Sequence, residues 1–215
     1  MLSIKGSTVT SDAMGCQRQI AAKIVDGGGD YVLGVKGHQP GLEQDIAALF
    51  AWGEQSGFQD VVHHFHQEID GDHGRIETRR CVAMEVDFGM EHQLKTWRGL
   101  RSFCMVESTR QCGEKISSER RYDITTLPAQ KAEQIAHAIR RHWAIDNELH
   151  WVLDVAFSED DCRIRVGHAA ENLATMRHVA LNLLRREKTC KRGVNTKRMR
   201  AAWDPEYLET VLNTP

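Results

Sequence analysis

Residues 7–36 read STVTSDAMGCQRQIAAKIVDGGGDYVLGVK, and the fold class follows from this stretch. A β-prone run at 7–10 precedes a helical pattern at 16–25, and an apolar run follows at 31–35. The glycines after Asp26 mark the end of the helix. A strand, a helix and a strand within about thirty residues form a βαβ unit, which predicts parallel strands in an α/β sheet.

Asp12 comes just after the first predicted strand. The carboxyl ends of parallel strands meet at one edge of the sheet, and α/β proteins usually place their chemistry there. The side chain of Asp12 is therefore a candidate functional carboxylate.

Residues 40–127 have a different character. A helix is predicted at 40–52, with Leu42, Ile46 and Leu49 on one face. Four β-prone segments separated by glycine and polar residues follow, at 61–65, 75–86, 100–109 and 119–125. We therefore predict a helix and an antiparallel β-rich insertion between the βαβ unit and a helical C-terminal part.

A helical part is predicted over 128–215. Its first helix is expected to begin at Pro128, with Thr125 or Thr126 as the cap. Apolar residues recur at helical spacing up to Ala156. Two further helices are predicted at 168–186 and 205–212.

Asp146 lies within the first of these helices. A carboxylate on an inward helix face is costly unless it is paired or binds a cation. Two acids from separate elements can share Mg²⁺, which prefers carboxylate oxygens. From the residues alone, an ion pair or a surface position is the commoner explanation.

The composition is that of a globular protein, with a formal net charge of -2. No apolar run is long enough for a transmembrane helix, and the first residues are too polar for a signal peptide. The cysteines are widely spaced, which predicts thiols rather than disulfides or a zinc site. Basic residues concentrate at 185–200, where they could bind phosphate or form a solvated, partly frayed tail.

Residues 140–160 read RRHWAIDNELHWVLDVAFSED. They resemble the pattern RxHWxIENxLHWVLDVxFxED of H-repeat-associated insertion-sequence transposases, and the HWxIENxLHW block is highly specific. Other segments resemble this family in the same order: DAMGCQ at 12–17, GDYVLGVKGHQ at 29–39, HGRIETR at 73–79, RIR at 163–165, ENL at 171–173 and WDPEYL at 203–208. The chain is thus identified as a member of these DDE-type transposases, similar to their C-terminal part.

The resemblance implies a ribonuclease H-like α/β fold over 1–215, truncated at the N-terminus, with the insertion at 40–127 and the third acid in 128–215. It implies DNA transposition, in which Mg²⁺ or Mn²⁺ ions, held by acids in the order Asp, Asp, Glu, support cleavage and strand transfer at insertion-sequence ends. Asp12 matches the second acid and Asp146 the third, so both are expected to be catalytic and metal-binding. Double-stranded DNA and further copies of the chain are the expected partners, in the bacterial cytoplasm and at the nucleoid when bound to DNA.

Two features depart from the family pattern. Its first acid lies in an upstream DGK-like segment, and nothing before Asp12 supplies one. Asp146 replaces a Glu, so the carboxylate sits about 1.5 Å back, and a displacement near 1 Å can cost about a hundredfold in rate. The alternative is a catalytically dead remnant that at most binds DNA. A sheet without its first strands also exposes an edge, which predicts self-association.

His142 lies one helical turn before Asp146. It is interpreted either as a donor to Asp146 or to a phosphate, or as a satisfied, half-buried histidine. Trp143 and Trp151 are predicted to pack rather than to stack on bases.

Three basic residues are candidate DNA contacts. Lys36 follows a strand end, where a cation could meet a phosphate, and an ordinary loop lysine explains it equally well. Arg75 and Arg79 give the insertion a basic edge that could hold transposon-end DNA. An ion-pair network around Glu77 explains these arginines equally well.

Overall fold

A computed structural model describes residues 3–59, 61–72, 75–86 and 90–214. The chain divides into two compact units, Met1–His142 and Trp143–Pro215. Within the described residues, no helix has both the length and the apolar character needed to cross a membrane.

The first unit contains a mixed six-stranded sheet, so the predicted α/β class is confirmed. The strands are β1 (Thr8–Ser11), β2 (Asp30–Val35), β3 (His63–Asp72), β4 (Arg75–Glu85), β5 (Ser102–Cys112) and β6 (Lys115–Thr125). Their order in the sheet is β1-β2-β6-β5-β4-β3. Strands β1 and β2 are parallel, and the other neighbouring strands are antiparallel.

The predicted βαβ unit is present. Helix α1 (Arg18–Asp26) connects β1 to β2, and it ends at the glycines as predicted. Gly28 has a φ of 76°, a left-handed conformation that glycine adopts without steric cost. Strand β1 pairs with β2 alone, so its other side is an edge of the sheet among the described residues.

Helices cover both faces of the sheet. The other helices that begin in this unit are α2 (Pro40–Ser56), α3 (Glu91–Thr96) and α4 (Ala132–Ile145). Successive residues of a strand point to opposite faces. Leu33 therefore packs in one core cluster with residues of α1 and α2, and Val32 packs in another with residues of α4. The result is three layers, with the sheet in the middle.

The β-rich insertion is antiparallel, as predicted, and it continues the sheet of the βαβ unit. Strand β6 pairs with β5 on one side and with β2 on the other. Strands β5 and β6 extend beyond their predicted ends into a hairpin whose outer residues are exposed. Helix α3 was not predicted, because six residues are too few to show a helical period.

The helix predicted to begin at Pro128 is not continuous. A short 3₁₀ turn, Ala129–Lys131, precedes α4. A π-helical turn, Asp146–His150, then separates α4 from α5 (Trp151–Phe157). An inserted π turn changes the helical phase, so apolar spacing in the sequence does not reveal it.

The predicted helix cap at Thr125 or Thr126 is wrong. The hydroxyl of Thr125 donates to Tyr31 O at 2.6 Å, and the hydroxyl of Thr126 donates to the Asp30 carboxylate at 2.7 Å. Both side chains therefore join the end of β6 to β2, because that pairing brings the backbone of β2 within their reach.

The second unit is helical. It contains α5, α6 (Ala169–Arg186), α7 (Val194–Trp203) and α8 (Pro205–Leu212). Helices α6 and α8 confirm the predictions at 168–186 and 205–212. Helix α7 was not predicted, because basic residues dominate this stretch and leave little apolar periodicity.

Glu187 connects three segments of the second unit. Its side chain is 1% exposed and lies 3.2 Å from the buried Nζ of Lys197. Its carboxylate accepts hydrogen bonds from Tyr207 Oη at 2.7 Å and from Cys190 N at 3.1 Å. Burial alone would raise the pKa of Glu187, but hydrogen bonds from Thr189 and Tyr207 outweigh it and lower the pKa to about 2.

We expect Glu187→Gln to lower the free energy of unfolding by about 3 kcal/mol at neutral pH, because Lys197 would be left buried without its charge partner. The native carboxyl has the lower pKa, so its contribution is present above the unfolded pKa near 4.5 and is lost as the pH falls toward 2. Urea denaturation should therefore show that the free energies of unfolding of Glu187→Gln and the unaltered chain differ less in acid than at neutral pH. The exposed Glu209→Gln is the control, and an equally small effect of both variants at neutral pH would contradict this role.

Asp123 is a buried acid of β6. It lies between Gly34 of β2 and Cys104 of β5, and the residue is only 7% exposed. Burial raises the pKa of its carboxyl to about 7, and Arg121 opposes this shift to a smaller extent. The folded chain therefore holds a proton on Asp123 over a pH range in which the unfolded chain has lost it.

We expect the Asp123 carboxyl to destabilise the fold progressively as the pH rises from about 4 to about 7. Over this range the unfolded chain releases the proton of Asp123, whereas the folded chain must retain that proton or bury a charged carboxylate. Asp123→Asn removes this cost. Its free energy of unfolding relative to the unaltered chain should rise by up to about 4 kcal/mol across that range, at about 1.4 kcal/mol per pKa unit. Urea denaturation at several pH values measures the difference. A difference that does not change with pH would refute the assignment, and the exposed Asp26→Asn serves as control.

Candidate functional site

Asp12 lies just after β1, at the edge where the parallel strands β1 and β2 end. The residue is exposed. Its Oδ1 accepts hydrogen bonds from the backbone N–H groups of Met14 at 3.1 Å and Gly15 at 3.3 Å. All hydrogen bonds to this carboxylate in the described part of the chain go to Oδ1. The backbone thus orients the group through one oxygen.

Gly15 allows the turn at 12–15 to fold back on β1. A Cβ at this position would lie 1.8 Å from Ser11 Oγ and 2.8 Å from Ser11 Cβ, both shorter than any real contact. The turn that orients Asp12 therefore requires a glycine for a steric reason.

His142 connects α4 to the strand that carries Asp12. Its Nδ1 lies 3.2 Å from Thr10 Oγ1, and the side chain is half-buried. This contact agrees with the interpretation of His142 as a satisfied, half-buried histidine. A role toward Asp146 or a phosphate stays a prediction.

Asp146 begins the π-helical turn Asp146–His150. It belongs to the second unit, whereas Asp12 belongs to the first. Its side chain lies outside the described part of the structure, so its role as a metal ligand stays a prediction. Such π turns are rare in proteins and frequently occur at functional sites.

Lys36 follows β2 at the same edge as Asp12, and it is exposed. Arg121 of strand β6 lies beside this edge. The Nε of Arg121 donates a hydrogen bond to Glu119 Oε1 at 2.9 Å. This hydrogen bond lowers the pKa of Glu119, and the charge of Lys36 adds a smaller effect in the same direction. The edge therefore carries groups of both signs, and a phosphate contact by Lys36 stays a prediction.

Arg75 and Arg79 of β4 surround Glu77. Arg75 Nη2 lies 2.5 Å from Glu77 Oε2, and Arg79 Nη2 lies 2.7 Å from Glu77 Oε1. Arg110 of β5 approaches the same carboxylate at 3.6 Å. Burial raises the pKa of Glu77, but the arginines outweigh it and lower the pKa. The predicted ion-pair network is therefore confirmed, and contact of these arginines with DNA stays a prediction.

The basic run at 185–200 is partly ordered as α7, so a frayed tail is excluded for Val194–Trp203. Several of its charges have partners: Lys197 pairs with Glu187, and Arg200 Nε lies 3.0 Å from Asp204 Oδ2. Arg185 donates to the backbone oxygen of Glu148. These contacts reduce the positive charge that this stretch can offer to a phosphate.

Two further expectations concern tryptophan and cysteine. Trp143 and Trp151 are 43% and 63% exposed, and their role in packing rather than base stacking stays a prediction. The cysteines are all free, as predicted.

Curated relatives match almost the whole chain. The chain is 39% identical to the "H repeat-associated putative transposase YhhI" of Escherichia coli (strain K12) and to the "Putative protein YbfL" of the same strain, in each case over 99% of the chain and 56% of the relative. It is 42% identical to the "Putative transposase YncI" of Escherichia coli O157:H7, over 99% of the chain and 54% of the relative. No family model matches the chain, and neither does any solved structure.

These similarities extend over almost the whole chain, including the turn that carries Asp12. The chain is similar to the H repeat-associated putative transposases. It spans little more than half the length of the curated relatives it matches.

We expect Gly15→Ala to lower the free energy of unfolding by about 1–3 kcal/mol, because the added methyl would overlap Ser11. Gly37→Ala is a matched control at the same edge of the sheet, since a Cβ there meets nothing within 4 Å. The control should change stability by less than about 0.5 kcal/mol. Urea denaturation of both variants tests the steric argument, and similar stabilities would show that the turn does not need glycine.

Proposed function

We propose that this chain carries out metal-dependent DNA cleavage and strand transfer at the ends of an insertion sequence, as a DDE enzyme with a ribonuclease H-like core. The observation that carries the proposal is the carboxylate of Asp12. It is exposed at the carboxyl edge of the sheet and oriented by two backbone N–H groups, in a chain of a transposase family.

The strand arrangement supports the ribonuclease H-like part of the proposal. Strands β1 and β2 are parallel, with α1 between them. The outer side of β1 has no neighbouring strand among the described residues. The first acid of the family pattern would lie on a further strand of this sheet. The open edge of β1 offers the backbone groups with which such a strand would pair.

The residues proposed to hold metal are Asp12 and Asp146. Asp12 fits Mg²⁺, because the ion prefers carboxylate oxygens. The backbone N–H groups bond to Oδ1, so Oδ2 is the oxygen proposed to bind the ion. Bound Mg²⁺, or Mn²⁺ in its place, would activate the attacking water or DNA 3′-hydroxyl and stabilise the leaving oxygen. The turn at 12–15 holds the Asp12 carboxylate in one orientation before substrate arrives, which limits the cost of ordering it during the reaction.

Other residues are proposed to hold DNA. Lys36 lies at the same edge as Asp12 and would contact a phosphate. Arg75 and Arg79 would contact transposon-end DNA from β4, beside Glu77. His142 would support the site by holding α4 against Thr10. Double-stranded DNA is the proposed substrate, with further copies of the chain assembled on it in the bacterial cytoplasm.

The identity of residue 146 favours a second candidate function. An Asp stands there, whereas the family pattern has a Glu, and its carboxylate is retracted by about 1.5 Å. A loss of about a hundredfold is expected when a catalytic group is displaced by this much. The second candidate is therefore a protein that binds DNA without cutting it.

The test is nicking of supercoiled plasmid by the purified chain with Mg²⁺ or Mn²⁺. We expect metal-dependent nicking that Asp12→Ala abolishes. Asp146→Glu should increase nicking by about tenfold to a hundredfold, because it returns the carboxylate to the family's position. Glu114→Gln, an exposed acid in the turn between β5 and β6, should nick like the unaltered chain.

Two outcomes would overturn the proposal. Nicking that persists in Asp12→Ala would come from another site or a contaminant. No nicking by the folded chain or by Asp146→Glu, with DNA binding still measurable by fluorescence anisotropy, would establish the second candidate instead.

A further inference from the structure

A cluster of two histidines and a carboxylate lies in the first unit, separate from the turn at 12–15. His66 belongs to β3, and Glu133 and His137 belong to α4. One potential ligand atom from each of the three side chains lies within 4.8 Å of the others. The histidine rings are 5.6 Å apart between centroids.

The two-residue repeat of strand β3 and the four-residue spacing of helix α4 bring these residues together. His66 pairs with Cys81 of β4, whose side chain packs in the core cluster that contains residues of α4. His66 therefore lies on the sheet face that α4 covers, and Glu68 lies on the same face two residues later. On the helix, Glu133 and His137 are four residues apart and so are neighbours on one side.

A second carboxylate orients the histidines. Glu68 Oε1 lies 3.4 Å from His66 Nε2 and 3.5 Å from His137 Nδ1. Its other oxygen accepts a hydrogen bond from Arg140 at 3.0 Å. Arg140 thus holds Glu68 in place between the two imidazoles. The other ring nitrogen of His137, Nε2, lies 3.7 Å from Glu133 Oε1.

We propose that His66, Glu133 and His137 bind a divalent transition-metal ion, with Zn²⁺ as the reference ion. Two imidazoles and one carboxylate form a ligand set typical of open zinc sites, in which water completes the coordination. Mg²⁺, the ion proposed for Asp12, strongly prefers oxygen ligands and does not suit the histidines. The two sites therefore differ in the metal they select.

The distances favour this assignment. Two ligand atoms of a tetrahedral zinc site are about 3.4 Å apart, given bonds of about 2.0–2.1 Å. His137 Nε2 and Glu133 Oε1 are already at 3.7 Å. The metal takes Nε2 of His137, and Nδ1–H then donates to Glu68, just as metal-bound histidines commonly donate to a second carboxylate. The side chains of Glu133 and His137 are 71% and 53% exposed, so an ion reaches them from solvent.

The proposed ion would join β3 to α4. These elements are distant in the chain, and β3 is an edge strand among the described residues. A metal that binds only the folded chain stabilises it. The site would thus fix the outer hairpin of the insertion against the helix that contacts β1 through His142.

The test is isothermal titration of tag-free, metal-free chain with Zn²⁺, beside a Co²⁺ titration followed by visible absorption. We expect one site, a higher thermal midpoint with Zn²⁺, and Co²⁺ bands of nitrogen and oxygen ligation without a thiolate charge-transfer band. His66→Gln and His137→Gln should each weaken Zn²⁺ binding by about tenfold or more.

Matched variants make the result specific. His64→Gln changes an exposed histidine of the same strand and should bind like the unaltered chain. Glu133→Gln alters an exposed side chain that the fold does not need, so its weaker binding cannot arise from unfolding. Asp12→Ala should bind Zn²⁺ with the same affinity as the unaltered chain, because Asp12 lies outside the histidine site. Unchanged affinity in His137→Gln and Glu133→Gln, or thiolate bands with Co²⁺, would overturn the proposal and leave an ion-pair network of Glu68, Glu133 and His137.

Discussion

The backbone pairing of β2 on both of its sides is the constraint on which the first unit depends. Strand β2 is parallel to β1, which leads to Asp12, and antiparallel to β6, which carries the insertion. A buried strand must satisfy its N–H and C=O groups through its neighbours. Thr125 and Thr126 reinforce this arrangement, because their hydroxyls bond to the carbonyl and the N–H of Tyr31.

Helix α4 contacts both edges of the described sheet. Thr10 of β1 contacts His142, and Glu68 of β3 contacts His137. Strands β1 and β3 are the opposite edges of the sheet among the described residues, and in a flat sheet they would be about 24 Å apart at about 4.8 Å per strand. Helix α4 therefore bridges the two edges through the side chains of His137 and His142.

Three acids show how the fold assigns different properties to the same chemical group. Asp12 is exposed and accepts backbone hydrogen bonds, which suits a carboxylate that binds cations. Glu187 is buried but has Lys197 and several donors around it, so its pKa is low. Asp123 is buried between strands, and its pKa rises to about 7. Burial costs the charged form free energy unless nearby donors or cations compensate for it.

The sequence by itself determined the βαβ unit, the antiparallel insertion, the position of Asp12 after its strand and the resemblance to transposases, because each follows from local patterns or a contiguous motif. Only the tertiary structure decided that Thr125 and Thr126 join β6 to β2, that a π turn begins at Asp146, and that His66 meets His137. These features depend on contacts between residues far apart in the chain, or on a change of helical phase, and neither is encoded in the spacing of apolar and polar residues.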